Sequence, residues 1–249
     1  MKSRRASLDR LLADLGQPIA CVDLETTGGH PQQDRILEIG IVTLCQKEEP
    51  REWSQLLHPE YPVSPYVTQL TGIHPQMLQG MPCFAEIADK LLAQLQGHII
   101  VAHNARFDLT FLRQSFLRAQ VPFQPRSLCS VKLSRQLFPS EARHGLDAVI
   151  GRLALPCKNR HRALGDARVV AEFLRLMADE RYADILHACN IQWQQEGPPS
   201  SINPEDIKNI PHRPRDYIRF GKEHPSTQAS AETRESTELD SSPEFAADI

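Results

Sequence analysis

The stretch IACVDLETTGG, residues 19–29, alternates apolar and acidic side chains and then breaks at two threonines and two glycines. A strand has a side-chain period of two, so Asp23 and Glu25 share one face about 7 Å apart along the backbone, while Val22 and Leu24 point the other way. Burying the apolar face draws the acids toward the interior. An ionised carboxylate in an apolar setting costs several kcal/mol unless it is paired or holds a metal. Two acids on one strand face can share a metal, and the Thr26-Thr27-Gly28-Gly29 turn beside them is expected to leave backbone N–H groups exposed for a sugar hydroxyl or phosphate.

Two further clusters lie downstream. Asp108 falls in HNARFDLTFL just after the apolar run IIVAHN, with Phe111 and Leu112 at i+3 and i+4, so it points inward from the first turn of a helix. Asp166 has Val169, Val170 and Phe173 at i+3, i+4 and i+7, which puts an acid on the apolar face of the last strongly periodic helix. His161 precedes it by five residues, near that helix start, and could overhang the same site. His103 and Asn104 fit a turn or a helix cap equally well.

Working outward, residues 19–25, 35–44 and 52–58 read as three consecutive strands, which suggests an antiparallel start. Ser64-Pro65 opens a short helix ending at Gly72, and residues 84–95 carry Ile87, Leu91, Leu92 and Leu95 on one helical face. Residues 99–102 form a buried strand, 105–119 a helix, and 127–131 a short strand. Helices follow at 131–137, 146–153 and 162–179. This order describes a mixed sheet flanked by helices.

The motifs D-x-E-T-T-G, H-N-x-x-F-D and H-x-x-x-x-D, in that order, resemble the three motifs of the DEDDh 3′–5′ exonucleases. The likeness covers about residues 18–180 and includes Leu70-Thr71-Gly72-Ile73, similar to that family's connecting L-T-G-I. Within the family the chain looks most like the epsilon proofreading subunits of bacterial DNA polymerase III, their free-standing homologues, and relatives fused to a GIY-YIG domain. The resemblance implies a ribonuclease-H-like fold with a five-stranded mixed sheet flanked by helices. It also implies two divalent ions, Mg²⁺ or Mn²⁺, held by Asp23, Glu25, Asp108 and Asp166, with His161 as general base. Arg162 stands where the tyrosine branch of the family has its tyrosine. Two such ions can stabilise both the attacking and the leaving oxygen of a displacement at phosphorus, and imidazole is the side chain suited to taking a proton near neutral pH.

Family members release 5′-mononucleotides from a 3′ end. Thr26, Thr27 and Gly28 match the segment that meets the terminal nucleotide, and His103 and Asn104 are counted with them as candidate substrate contacts. The implied partners are nucleic-acid 3′ ends, foremost single-stranded DNA, and a DNA polymerase or repair complex. RNA trimming by the same chemistry is the alternative substrate class, and a non-catalytic adaptor is the alternative outside the enzymes. Lys158, Arg160 and Arg162, with Arg143, Arg152 and Arg168, are expected to form a local basic patch that holds phosphates.

A formal charge of −3 spread over 249 residues does not advertise nucleic-acid binding, so that function must rest on a local patch. The acidity sits in residues 226–249, which hold one arginine against six acids. The expected organisation is an amphipathic helix over residues 1–17, built on Leu8, Leu11, Leu12 and Leu15, then the exonuclease domain over 18–190. A linker or docking segment over 191–224 and a disordered acidic tail over 225–249 complete it. Ile210-Pro211-His212-Arg213-Pro214, with Tyr217 and Phe220, looks like the entrance to a GIY-YIG domain, read here as a remnant or docking peptide. Six dispersed cysteines without a C-x-x-C pair and no apolar run long enough to span a membrane point to a cytoplasmic protein.

Overall fold

The computed structural model describes residues 2–178. The expectations for Cys189, for the Ile210 to Phe220 segment and for the acidic tail fall outside those residues.

Five strands form one mixed sheet: β1 (Ile19–Thr26), β2 (Ile36–Leu44), β3 (Arg51–Leu56), β4 (Ile99–Ala102) and β5 (Arg126–Cys129), in the order β3-β2-β1-β4-β5. The first three are antiparallel neighbours, and β4 and β5 run parallel to β1. Eight residues of β1 face only three of β4 in register, so the end of β1 that carries the acids projects past β4.

Both faces of the sheet are covered by helices whose apolar stripes the sequence makes legible. On one face Ile19, Cys21, Val42 and Val101 pack with Leu8, Leu12 and Leu15 of α1 (Lys2–Leu15) and with Val170, Phe173 and Leu174 of α7 (Ala163–Met177). On the other, Ala20, Val22, Ile39 and Ile100 pack with Ile87 and Leu91 of α3 (Phe84–Leu95) and with Leu109, Leu112 and Phe116 of α4 (Ala105–Arg118). Phe116 joins the layers there, stacking at 4.3 Å between ring centroids on Phe123 and meeting Phe84 edge-on at 5.1 Å.

The connection between β3 and β4 holds α2 (Pro65–Thr71), which starts as its sequence demands. Ser64 caps it by accepting the Val67 N–H at 3.2 Å, proline occupies the first turn, and Gly72 closes it with a φ of 69°. Ile73 then drops into a small cluster with Leu37, Val67 and Leu78, which is what the L-T-G-I segment does for the fold. Helices α5 (Ser130–Leu137) and α6 (Leu146–Leu153) lie between β5 and α7.

One close approach sets the site. A Cβ at Gly40 would lie 2.2 Å from the Ala163 and Leu164 backbone, so only glycine lets the first turn of α7 rest on β2 at this point. Gly40 is the cross-strand partner of Asp23.

Candidate metal centre

Asp23 and Glu25 emerge on the α7 face of β1, half-buried at the strand end. Because α7 sits directly over Gly40, its first turn delivers Asp166, which is only 4% exposed, to the same place. Asp23, Glu25 and Asp166 each present a carboxylate oxygen within 4.8 Å of the others. Asp108 stands beside this trio on the first turn of α4, 3% exposed. It reaches the part of β1 that β4 leaves unpaired and accepts the Leu24 backbone N–H.

Four converging buried acids with little counter-charge beyond Arg160 resist ionisation. Burial, then the charges of Asp108, Asp166 and Glu25, push the Asp23 carboxyl well above the usual carboxylate range. Burial and the charges of Asp166 and Glu38 raise Glu25 to about 7. Asp108 goes up to about 8, mainly through burial, against the opposing effect of the backbone N–H groups it accepts. Asp166 is raised by burial as well, although Arg160 lies against it. One oxygen of Asp166, Oδ1, is buried with no hydrogen-bond partner. A set of hard carboxylate oxygens, mutually repelling and with a free buried lone pair, is the donor chemistry that suits Mg²⁺ or Mn²⁺.

His161 comes to the same locality, immediately before α7, with a φ of 60°. Its backbone N–H reaches the Asp166 carboxylate, and its side chain acts electrostatically on both Asp166 and Asp147. The five residues of the three motifs, separated by up to 143 positions in the chain, therefore converge. His103 lies close by: its Nδ1 bonds Ser130 Oγ at 2.9 Å, its Nε2 is buried without a partner, and burial drops its pKa to about 4. Asn104 precedes α4 in a left-handed conformation, φ 72° and ψ 49°, exposed and making no side-chain cap.

Two expectations change. At Thr27 the Thr26–Gly29 turn is tied to the strand that follows: its N–H donates to Arg35 O at 2.9 Å, and Thr27 Oγ1 bonds Asp34 at 3.0 Å. Gly28 packs so tightly on Asp34 that a Cβ would fall 2.5 Å from its carboxylate. The N–H of Thr27 is thus committed within the protein rather than open to a phosphate. The second correction concerns the basic patch, four of whose six members are held in ion pairs. Arg160 binds Asp147 and Asp166, Arg162 binds Glu38, Arg168 binds Glu52, and Arg152 binds Glu141. Arg143 lies beside His144, Gly145 and Asp147 in a cleft of about 570 Å³, and Lys158 is the remaining member.

Glu38, Asp147 and Ser130 escaped the sequence reading. Glu38 carried a usable signal: it is an acid inside RILEIGIV, two residues from Gly40 and on the same strand face. Asp147, by contrast, reads as an ordinary first-turn acid of a helix.

With this geometry in view, residues 20–174 match the model of the RNase_T exonuclease family. The chain belongs to that family. The 3′–5′ exonuclease DinG of Staphylococcus epidermidis is 32% identical over 167 residues, covering 67% of this chain and 18% of that protein. A PolC-type DNA polymerase III of Thermotoga petrophila is 35% identical over 158 residues, 63% of this chain and 12% of the polymerase. The chain thus spans less than a fifth of the length of the curated relatives it matches. Among solved structures, Exonuclease X in complex with 5′ overhanging duplex DNA is similar at 27% identity and a TM-score of 0.51, over 68% of this chain and 98% of that one. Escherichia coli Exonuclease I, bound to a dT13 oligonucleotide, shares the fold at 19% identity and a TM-score of 0.58, over 68% and 43%. The five-stranded sheet flanked by helices is the architecture of these exonucleases. Among the described residues no helix is long and apolar enough to cross a membrane.

Proposed function

We propose that this member of the exonuclease family is a divalent-metal-dependent 3′–5′ exonuclease that removes 5′-mononucleotides from single-stranded DNA ends, in proofreading or repair. The convergence of Asp23, Glu25, Asp108 and Asp166 around one spot carries the proposal. Asp23, Glu25 and Asp166 would hold the ions, with Asp108 completing the set. Bound there, the ions would supply an acidified water and stabilise charge on the attacking and leaving oxygens. His161 would accept the water's proton from its position against Asp166 and Asp147. Ionising the clustered acids is costly without cations, and once ionised they would repel a phosphodiester until the ions neutralise them.

The choice of DNA draws support from the names of similar proteins, DinG and PolC-type polymerase III among them, and from the overhanging duplex bound by Exonuclease X. The PolC-type likeness also supports a polymerase as partner. A fold retained only for binding would have no reason to keep four clustered interior acids against so little positive charge, which argues against an adaptor.

The test gives the purified protein 5′-end-labelled single-stranded DNA, mismatched duplex and RNA of matched sequence with Mg²⁺ or Mn²⁺, beside Asp23→Ala. A ladder shortening from the 3′ end of DNA, absent with Asp23→Ala, is the expected result. Preferential shortening of RNA would replace the substrate, and equal activity of the variant would remove the metal site.

A further inference from the structure

We propose that Glu38 is a positioning residue that acts through Arg162 to hold His161 in place, an inference that rests on the exonuclease reading of this site. Glu38 projects from β2 toward α7 and is 3% exposed. Its Oε1 accepts Arg162 Nη2 at 2.7 Å, and its Oε2 accepts Arg162 Nε at 2.9 Å. Oε2 also takes the backbone N–H of Ala163 at 3.0 Å. That N–H belongs to the first turn of α7, where the preceding residue, Arg162, offers no side-chain cap. An acid from a strand 125 positions away thus does the work of a local capping residue, at the end of the helix that favours negative charge.

His161 is tethered between two such grips. Arg162, on its C-terminal side, is clamped by Glu38 through a two-pronged, charge-assisted contact that fixes orientation as well as distance. Arg160, on its N-terminal side, donates Nε to Asp147 Oδ1 at 2.6 Å and Nη1 to Asp166. His161 itself has a φ of 60°, a left-handed backbone conformation that costs a residue with a Cβ some free energy. One restraint is local, the bond from the His161 backbone N–H to the Asp166 carboxylate, and the flanking arginines supply the others. Arg160 keeps one buried partner in Asp166, whose side chain is 5% exposed, and its second partner, Asp147, differs sharply from Glu38. The Asp147 side chain is 76% exposed, so its ion pair competes with water, whereas that of Glu38 is 4% exposed and does not. Glu38 is the firm end of the brace and Asp147 the weak one. Glu38 does not itself touch the reacting atoms; it faces Glu25 across the strand pair and reaches the candidate base only through Arg162.

The test has an arm independent of turnover. In the metal-free protein the imidazole ¹H–¹³C signals of His161 and His103 are assigned by comparison with His161→Ala and His103→Ala. Glu38→Gln is expected to move the His161 signal toward that of free histidine while the His103 signal, anchored on Ser130, stays in place. Arg162→Lys, which keeps the charge and loses the fork, is expected to give a smaller shift in the same direction and serves if Glu38→Gln does not fold. An unmoved His161 signal, or equal movement of both histidines, overturns the proposal. In the activity arm Glu38→Gln lowers kcat roughly 10–100-fold with KM nearly unchanged, Asp147→Asn lowers it less, and Glu38→Gln adds no further loss to His161→Ala. Losses that multiply in the double variant would mark Glu38 as merely structural. A wild-type protein that hydrolyses no substrate sinks the exonuclease reading, and the imidazole signals still decide the brace.

Discussion

Chelating the divalent ions and raising the pH from 6.5 to 8 should destabilise this protein. Glu25 and Asp108 hold their protons up to about 7 and about 8 in the folded chain, against ordinary values of 4.5 and 3.8. Over this interval the unfolded chain has already released those protons and the folded chain still binds them, so stability falls as pH rises. His103 works in the opposite sense, because burial drops its pKa from 6.5 to about 4 and stability gained from its neutrality grows as pH rises through that range. Between pH 6.5 and 8 the unfolded imidazole loses its remaining half proton, so His103 returns only about 0.4 kcal/mol and the carboxyls set the slope. Integrating their titration from pH 6.5 to 8 gives under 1 kcal/mol from Glu25 and under 2 from Asp108, ~2 kcal/mol together. For a chain of this size that is a fall of roughly 4–8 °C in Tm. Urea or thermal unfolding in EDTA at the two pH values measures it, and the isosteric pair Glu25→Gln with Asp108→Asn should flatten the dependence. With saturating Mn²⁺ the slope should reverse, since the metal binds the deprotonated ligands, and a concentration of about 100 times Kd should add ~2.7 kcal/mol. A metal-free protein whose stability stays constant or rises between pH 6.5 and 8 would show that these acids do not meet in a desolvated cluster.

Three other outcomes follow from the geometry. Asp23→Ala should abolish hydrolysis and Mn²⁺ uptake by calorimetry while raising metal-free stability at high pH, because it removes a buried carboxyl whose ionisation the fold opposes; weakened stability with intact uptake would contradict the site. His161→Ala should lower kcat and flatten the pH–rate curve near neutrality, and an unchanged curve would remove it from the base role. Gly40→Ala should cost about 1–3 kcal/mol by driving a methyl into the α7 backbone, and should reduce metal affinity as well by lifting Asp166 away from Asp23. Circular dichroism melts and Mn²⁺ titration of the same sample read both effects.

Periodicity accounts for what the sequence made legible. Leu8, Leu12 and Leu15 repeat at helical spacing and pack on the sheet, and the α3 stripe and the Ser64-Pro65 and Gly72 boundaries of α2 occur where their chemistry places them. Element ends moved by a residue or two, as at β3, expected over 52–58 and found over Arg51–Leu56. The short 3-10 turn Pro75–Leu78 carried no periodic signal at all. The acids were legible for a related reason. A carboxylate on an apolar face is a contradiction that one segment displays by itself, and Asp108 and Asp166 displayed it.

Partnership between distant charges has no such local signature. Arg162 and Arg168 look alike in sequence, two cations on either side of an acid, yet one clamps a buried glutamate 124 positions away and the other pairs with half-exposed Glu52. What separates them is the register of β2 against β1 and the contact of Gly40 with α7, which turn Glu38 toward Arg162 and leave Glu52 at the sheet edge. A run of lysines and arginines therefore overstates the positive potential available to a phosphate, because the fold neutralises several of them internally. On the proposed function, the charge that holds a phosphate would come chiefly from the cations bound by the four acids, supplemented by Arg143 and Lys158, and nucleic-acid affinity should consequently depend on divalent metal more steeply than on these side chains. Fluorescence anisotropy with labelled single-stranded DNA separates the two contributions: Ca²⁺ against EDTA should change affinity more than Arg143→Gln with Lys158→Gln does. The reverse ranking would mean that the side chains, not the acids' ions, hold the strand.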